Sequence, residues 1–570
     1  MHSCNLFVLF RFMLIMLFLT ACKQSGKKQD ENIAADPASL HLLIQKNIRL
    51  QLNQANVHTG IIHDSFQLNF FKVLDRSYAL NDDKPVWSTN GKWAASAEGL
   101  IHFLGHSLEN GLFKEDYHFS GIQAIKRTLD EDSVKRMNAA LWSQAELLFT
   151  DAFMHLIQDL AQGRLQPDSQ AWKNDKEKYD HFFAKNLTRL MNGEIPDSIF
   201  KSVQPVNPGY WSLKRGIPNF LDSMDTRTYT FVNYPYKKDD KNDSLLFVKK
   251  LLARLKESAI IDQLQDIDSS KLADAIRKYQ LRKKINPDGK ITASLIKHLN
   301  NTDIEKYFRI AVTLDRYKQL PLKMPETYIW VNLPGYYLHV WDADTIVFTS
   351  KIICGKPETA TPFITSMVSD LVIYPTWTVP SSIIRKEMLP ALKKNAGYLN
   401  RKGLNLYNKD GELIDPYTVN WEKYSKGIPY KIQQGSGDGN ALGVIKFNFE
   451  NPFAVYLHDT NQRYLFKKQM RALSHGCVRV QDWEKLAFFI ARKDSVQANT
   501  QDSLNYNTDS ITSWIANKQK HHIPVQYQIP IFIRYFGCEA VNGSIKFYDD
   551  IYGEDKKAKA DFFAKSKYSF

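Results

Sequence analysis

Cysteine is scarce in this chain. There are five in 570 residues, at positions 4, 22, 354, 477 and 538, and no two form a Cys-x-x-Cys pair. That excludes a disulfide-stapled scaffold and gives no sulfur-rich metal spacing. Long apolar runs are also lacking. Past the first twenty or so residues nothing approaches the ~20 apolar residues of a membrane-spanning helix. The net charge of +14 is spread out, with no dense basic run interleaved with aromatics, so no nucleic-acid partner is expected. A basic soluble surface and attraction to a carboxylate-bearing polymer both fit that charge. The glycine-rich loop Gln434–Gly443 lacks the Lys-Ser/Thr ending and following helix of a phosphate cradle. His102, His106, His118 and His155 read as surface or satisfied core histidines, and neither a metal nor an organic cofactor is expected. With 44% hydrophobic and 24% charged residues, the composition is that of an ordinary globular protein of about three domains.

What is present begins with Phe12–Thr20, almost wholly apolar, followed by Leu19-Thr20-Ala21-Cys22. A short apolar core, small residues and then a cysteine resemble a lipoprotein signal. Residues 1–21 would be removed, Cys22 lipidated, and the polar residues 22–38 would serve as a tether. The protein is therefore expected in the periplasm, anchored to a membrane, with inner and outer membranes both open. Cys4 leaves with the signal. Cys354 and Cys538 lie in apolar strand-like runs and read as buried thiols, a bridge between them staying open.

Residues 39–242 read as mainly helical, since Leu141, Ala145, Leu148, Ala152, Leu156 and Leu160 recur at helical spacing up to Gly163. Residues 243–300 read as a small three-helix module. Leu245–Ala259 and the segment from Leu272 to Gln280 are its first helices, Asn286-Pro287-Asp288-Gly289 is its turn, and Thr292 caps the third helix. A connecting helix follows over 301–325. From Glu326 the pattern becomes that of strands, as in Tyr328–Leu333 and Tyr336–Trp341. Residues 381–433 interrupt the strands with helix-like and polar sequence, too long for an unstructured loop in a compact domain. Residues 554–570 read as a basic, frayed tail.

One short stretch carries chemistry: Ser474-His475-Gly476-Cys477-Val478-Arg479, with His458-Asp459 upstream. A nucleophilic cysteine needs a thiolate, a base to make it, and donors for the oxyanion that forms. His458 lies nineteen residues before Cys477, too far for one helix but suited to a strand, a loop and a turn. A neighbouring imidazole could take the thiol proton, and the resulting ion pair would lower the apparent thiol pKa. Arg479 could pair with a substrate carboxylate.

This arrangement resembles the signature of the large L,D-transpeptidases, with a YkuD-type catalytic domain. The Pro85-Val86-Trp87 stop, the Asp288-Gly289 turn and the Gly355-Lys356-Pro357 run extend the likeness over most of the chain. The resemblance implies an α+β multidomain protein. It would have a helical scaffold (39–242), a peptidoglycan-binding-like module (243–300) and a mixed-β catalytic domain (326–553) in which 381–433 form a lid hinged at Trp377 and Pro380. It further implies an enzyme acting on peptidoglycan stem peptides, with a donor tetrapeptide and an acceptor amine as partners. Cys477 would be the nucleophile and His458 the base, oriented by Asp459 through its backbone carbonyl. The amides of Gly476 and Cys477, with His475 nearby, would form the oxyanion hole. Ser474 would shape the turn, while Arg479 and Trp377 would meet substrate. Water could resolve the thioester instead of an amine, giving a carboxypeptidase or endopeptidase, and a non-catalytic wall-binding lipoprotein is the remaining alternative.

Overall fold

The computed structural model describes residues 32–62, 66–165, 176–234, 241–263, 268–497 and 506–563. Cys22, its signal and most of the tether lie outside the described residues. The chain forms two compact units, one ending at Pro205 and the other spanning Val206–Phe563.

The first unit is helical, built on α1 (Pro37–Val57) and α2 (Ala139–Gln162). Helix α1 begins inside the expected tether, because Asp36 accepts from the Ala38 and Ser39 amides at 2.9 Å and Pro37 follows it. Asn138 caps α2, and Gly163 (φ 73°) ends it. Helix α2 is apolar nearly all round and runs through the centre of the core. Its buried acids are satisfied internally. Glu146 accepts from the Val86 and Trp87 amides and from Ser88, while His118 meets Asp151 at 2.8 Å. Burial nonetheless pushes the Glu146 carboxyl up to about 7. His102 and His106 stand one helical turn apart, a spacing that could suit a metal. His106 Nδ1 instead meets the His102 carbonyl at 2.9 Å. No cluster of three or more His, Cys, Asp or Glu able to hold a metal occurs among the described residues.

The second unit opens with α3 (Pro208–Asp222), which the sequence had assigned to the scaffold. It belongs here because Tyr210, Leu213 and Ile217 share a core with Ile310, Leu314 and Cys538. Next come α4 (Lys241–Glu257), α5 (Ser269–Arg282) and α6 (Ala293–Asn300), the expected three-helix module. Its core holds Leu251, Leu255, Ile276, Tyr279, Leu295 and Leu299. Gln280 braces the Asp-Gly turn, donating to Asp288 at 2.8 Å and accepting from the Gly289 amide at 2.8 Å. Helix α7 (Asp303–Lys318) then leads into the sheet.

The sheet strands are β1 (Thr327–Asn332), β2 (Tyr337–Asp342), β3 (Thr345–Gly355) and β4 (Ile364–Ile373). After the insertion come β5 (Ile445–Phe449), β6 (Leu457–His458), β7 (Ala472–Ser474), β8 (Val478–Val480), β9 (His521–Pro524) and β10 (Pro530–Arg534). Their order is β5-β6-β8-β3-β2-β1-β10-β4-β9, and β5 also pairs with β4, which closes the sheet on itself. The pairs β6–β8, β3–β7 and β1–β10 are parallel and the others antiparallel, as a mixed-β domain requires. Alternate residues such as Ile329, Ile373, Phe447, Leu457 and Val478 fill the core.

The insertion has its own core of Val379, Ile384, Leu392, Leu399, Leu406, Trp421 and Ile432, together with a small sheet anchored on Trp377–Thr378. Its helix widens to a π turn at Ile384–Met388. Pro390 explains the widening, since it has no N–H for the carbonyl four residues back.

The expected frayed tail is a helix over Glu554–Phe562. Its Asp555 is buried between Arg316 (2.5 Å) and Arg309 (3.2 Å), and Phe563 is buried behind it. Paired charges and one aromatic hold a segment that its composition alone suggests is loose. Cys354 and Cys538 are both buried and both free, so no bridge joins them.

Candidate active site

Strand alternation assembles the site. Lys446 on β5 sits opposite His458 on β6, and His458 sits opposite Arg479 on β8. Phe447, Leu457 and Val478, one step along each strand, are fully buried. Their neighbours Lys446, Tyr456, His458, Cys477 and Arg479 therefore share the other face. The Val478 amide donates to the Tyr456 carbonyl at 3.1 Å, which sets Tyr456 beside Cys477.

The turn that presents the thiol depends on Gly476, whose φ of +124° suits no L side chain. Thr361 Oγ donates to the Gly476 carbonyl at 2.7 Å and accepts from the Gly355 amide at 2.9 Å. Ser474 is buried and closes the turn, donating to the Cys477 carbonyl at 2.6 Å. The Gly476 amide donates to Ser474 Oγ at 3.2 Å. It is thus engaged in the turn, and the Cys477 amide, which has no partner among the described residues, is the donor left open to an oxyanion. Cys477 is half-buried, and its Sγ lies 3.8 Å from the Ala454 carbonyl. Ala454 has φ +53°, an uncommon conformation for a residue with a side chain, and it is what aims that carbonyl at the thiol.

His458 is buried, with Nδ1 lacking any hydrogen-bond partner among the described residues. Burial, then the Arg479 and Lys446 charges, push the imidazole down to about 3, while the backbone carbonyls of Asp459 and Leu442 beside the ring oppose this. Burial raises the Cys477 thiol, and Tyr456, Lys446 and Arg479 act against that rise. Both shifts favour a neutral thiol beside a neutral imidazole, and burial is the first cause of each, with the Arg479 and Lys446 charges adding to it at the ring.

The Asp459 carboxylate does not reach His458. It is fully buried, accepting from the Val444 amide at 3.1 Å and from Arg463 at 2.6 and 3.0 Å. Its link to the histidine runs through the backbone. His475 is exposed and turned toward the insertion, where Nε2 meets Glu387 Oε1 at 2.6 Å. Lys356 stands 3.7 Å from the same oxygen. Burial pushes the Glu387 carboxyl up, but His475 and Lys356 outweigh it and the net shift is downward. Among the described residues Arg479 makes one side-chain hydrogen bond, to Gln462 at 3.4 Å, and its buried Nε is unpartnered. Burial pushes the Tyr456 phenol up, and Trp377 acts on the site through Tyr456 by pulling that phenol down.

Tyr456, Lys446 and Glu387 were not singled out from the sequence. Alternation along Val455-Tyr456-Leu457-His458 could have found the first, because it must share the face of His458. The other two depend on pairing and packing between distant segments.

Comparison with known proteins supplies the context. Residues 326–497 match the profile of the L,D-transpeptidase catalytic domain, and residues 72–216 match that of a scaffold domain. Residues 326–497 are an L,D-transpeptidase catalytic domain. A Haemophilus influenzae protein whose name assigns it provisionally to the L,D-transpeptidases is 31% identical over 229 residues, 40% of this chain and 45% of its own length. The chain thus spans under half of the curated relative it matches. The solved structure of the Ldtfm–avibactam carbamoyl enzyme aligns with 38% of this chain and 51% of its own at 12% identity, with a TM-score of 0.17.

Within this L,D-transpeptidase domain, Glu387 is the residue of the insertion that meets the signature turn. Glu387→Ala should raise KM for a stem tetrapeptide by no more than about fivefold, because a half-exposed pair contributes only ~0.2–1 kcal/mol. It should leave alkylation of Cys477 unchanged. Steady-state kinetics at low and high salt would check this, and a KM equal to wild type at both would show that the Glu387–His475 pair has no part in substrate binding.

Proposed function

We propose that the chain is a peptidoglycan L,D-transpeptidase that forms 3→3 cross-links through a thioester on Cys477. The observation that carries this reading is that Cys477, His458 and Arg479 share one sheet face, with His458 opposite Arg479, within a domain of the L,D-transpeptidase type. Arg479 lacks a carboxylate partner among the described residues and can take one from the stem peptide. Cys477 Sγ attacks the carbonyl carbon that joins the L-centre of a diaminopimelate to the terminal D-alanine. The thiol proton passes to His458 and on to the departing nitrogen, the C–N bond breaks, and D-alanine leaves. The Cys477 amide faces the oxyanion of the intermediate. The amine of a second stem then attacks the thioester and returns the proton through His458, freeing the thiol. The half-open site and the folded insertion beside it favour an acceptor amine over water.

Incubation with a purified disaccharide-tetrapeptide, followed by mass spectrometry, tests the reading. A cross-linked dimer with loss of one D-alanine is expected, and tripeptide alone in the presence of abundant acceptor would instead make the enzyme a carboxypeptidase. The Leu19–Cys22 run supports a lipid anchor facing the periplasm. Cys22→Ala should move the protein out of the membrane fraction, and unchanged fractionation would refute the anchor. The three-helix module is assigned to binding peptidoglycan on its resemblance alone, and a module-deleted chain that still sediments fully with sacculi would remove that role.

A further inference from the structure

The thiolate of Cys477 must form in a half-buried site where the nearest imidazole is itself boxed in by cations. A negative charge placed there needs partners that do not depend on protonating His458. The face of the sheet supplies two outside the signature. Tyr456 is the cross-strand neighbour of Cys477, fixed by the 3.1 Å bond from the Val478 amide to the Tyr456 carbonyl and by the Leu457–Val478 register. Its side chain therefore shares the face of the Cys477 thiol, and each group acts on the other's titration, with Trp377 also acting on the phenol. An indole N–H only donates, so Trp377 cannot accept the phenolic proton, which stays available to sulfur. Lys446 lies on the next strand, with its Nζ 4.0 Å from the centre of the Tyr456 ring. It has no carboxylate within ion-pair distance among the described residues. Asp370 exerts only a weaker, more distant pull on it, being bonded to Asn448 at 2.6 Å and His522 at 3.0 Å.

We propose that Tyr456 is a further catalytic residue, donating its phenolic hydrogen bond to the Cys477 thiolate, and that Lys446 is a positioning residue whose charge, seated on the Tyr456 ring, supports the same anion. The other charged or titratable groups around the thiol have different tasks. Arg479 faces it from β8 and is kept for the substrate carboxylate. His458 carries the proton away. His475 is turned to Glu387 and Lys356. In the resting thiol, S–H points to the Ala454 carbonyl and Tyr456 donates to the sulfur. When the proton leaves for His458, that hydrogen bond becomes charge-assisted and strengthens at the moment charge appears.

The inference rests on Cys477 being the nucleophile, and alkylation reads the thiol without any peptidoglycan. Iodoacetamide modification of the Cys477 peptide would be followed by mass from about pH 6 to 11 in wild type, Tyr456→Phe, Lys446→Met and Lys446→Arg. Burial raises the thiol, so the wild-type rate should climb with pH, roughly tenfold per unit below the thiol pKa. Tyr456→Phe and Lys446→Met should each move that limb up by about one unit, making alkylation roughly tenfold slower near neutral pH and equal to wild type in strong alkali. Lys446→Arg should stay within about twofold of wild type. A purely structural role would slow the reaction by the same factor at every pH, and that outcome, or a profile identical to wild type, overturns the proposal. If Tyr456→Phe fails to fold, the two Lys446 variants decide it. Shifted profiles in a protein that makes no cross-links would keep this assignment and remove the transpeptidase reading.

Discussion

Cys477→Ala should abolish both D-alanine release and cross-linking, and His458→Ala should lower turnover by about 10²–10⁴-fold. The first removes the sulfur that attacks the carbonyl in the proposed reaction. Neither remaining thiol among the described residues can replace it. Cys354 is buried in the sheet and pushed up to about 11, and Cys538 is buried against Thr313 and pushed up to about 12. The second removes the imidazole whose Nδ1 is buried and unpartnered. Because that ring is neutral at rest, its loss should change the rate of proton transfer while leaving donor affinity little altered. The expected signature is a fall in kcat with KM within a fewfold of wild type. Initial-rate kinetics on a purified tetrapeptide would check both variants. A His458→Ala enzyme with wild-type kcat would remove His458 as the base.

Gly443→Ala should strongly destabilise the catalytic unit. Gly443 has φ +62°, which costs a residue with a Cβ about 1–2 kcal/mol. A Cβ there would also lie 2.2 Å from Asp459 Oδ2 and 2.4 Å from its carboxyl carbon. Asp459 cannot yield easily, since it is fully buried and holds the Val444 amide and Arg463. Overpacking of that kind costs roughly a further 1–3 kcal/mol. The sum, about 2–5 kcal/mol, should appear as a lower denaturation midpoint of the catalytic unit. Activity should fall as well, because Asp459 adjoins His458 and any shift of its backbone moves the base. A variant with wild-type stability and turnover would show that the Gly443–Asp459 contact is soft.

The same residues show what a sequence can and cannot disclose. Helix α2 was legible because its apolar repeat is long and Gly163 ends it. The three-helix module was legible because Asp288-Gly289 and Thr292 are local signals whose bonds are made within a few residues. The strand-borne cluster of Cys477, His458 and Arg479 was legible from spacing and chemistry. The protonation state of that cluster was not, because it depends first on the burial of His458 and then on the Arg479 charge opposite it, both set by pairing between segments whose register no local pattern encodes. The role of the Asp459 carboxylate was hidden for the same reason, since its partner Val444 lies in the turn before β5, away in sequence from the segment that carries Asp459. The packing partners of helix α3 were not legible, because its amphipathic face says that it packs, not against what. The last helix was missed because Asp555 is surrounded by charge in sequence, while its burial between Arg309 and Arg316 exists only in three dimensions.

The central claim is that Cys477 carries an acyl group derived from the donor stem. The most direct measurement is the intact mass of the enzyme mixed with disaccharide-tetrapeptide in the absence of acceptor, followed by digestion to locate the adduct. The account predicts a mass increase equal to the donor minus D-alanine, located on the peptide that contains Cys477 and discharged by an added amine. Turnover with no adduct on Cys477, or an adduct on a different residue, would contradict it.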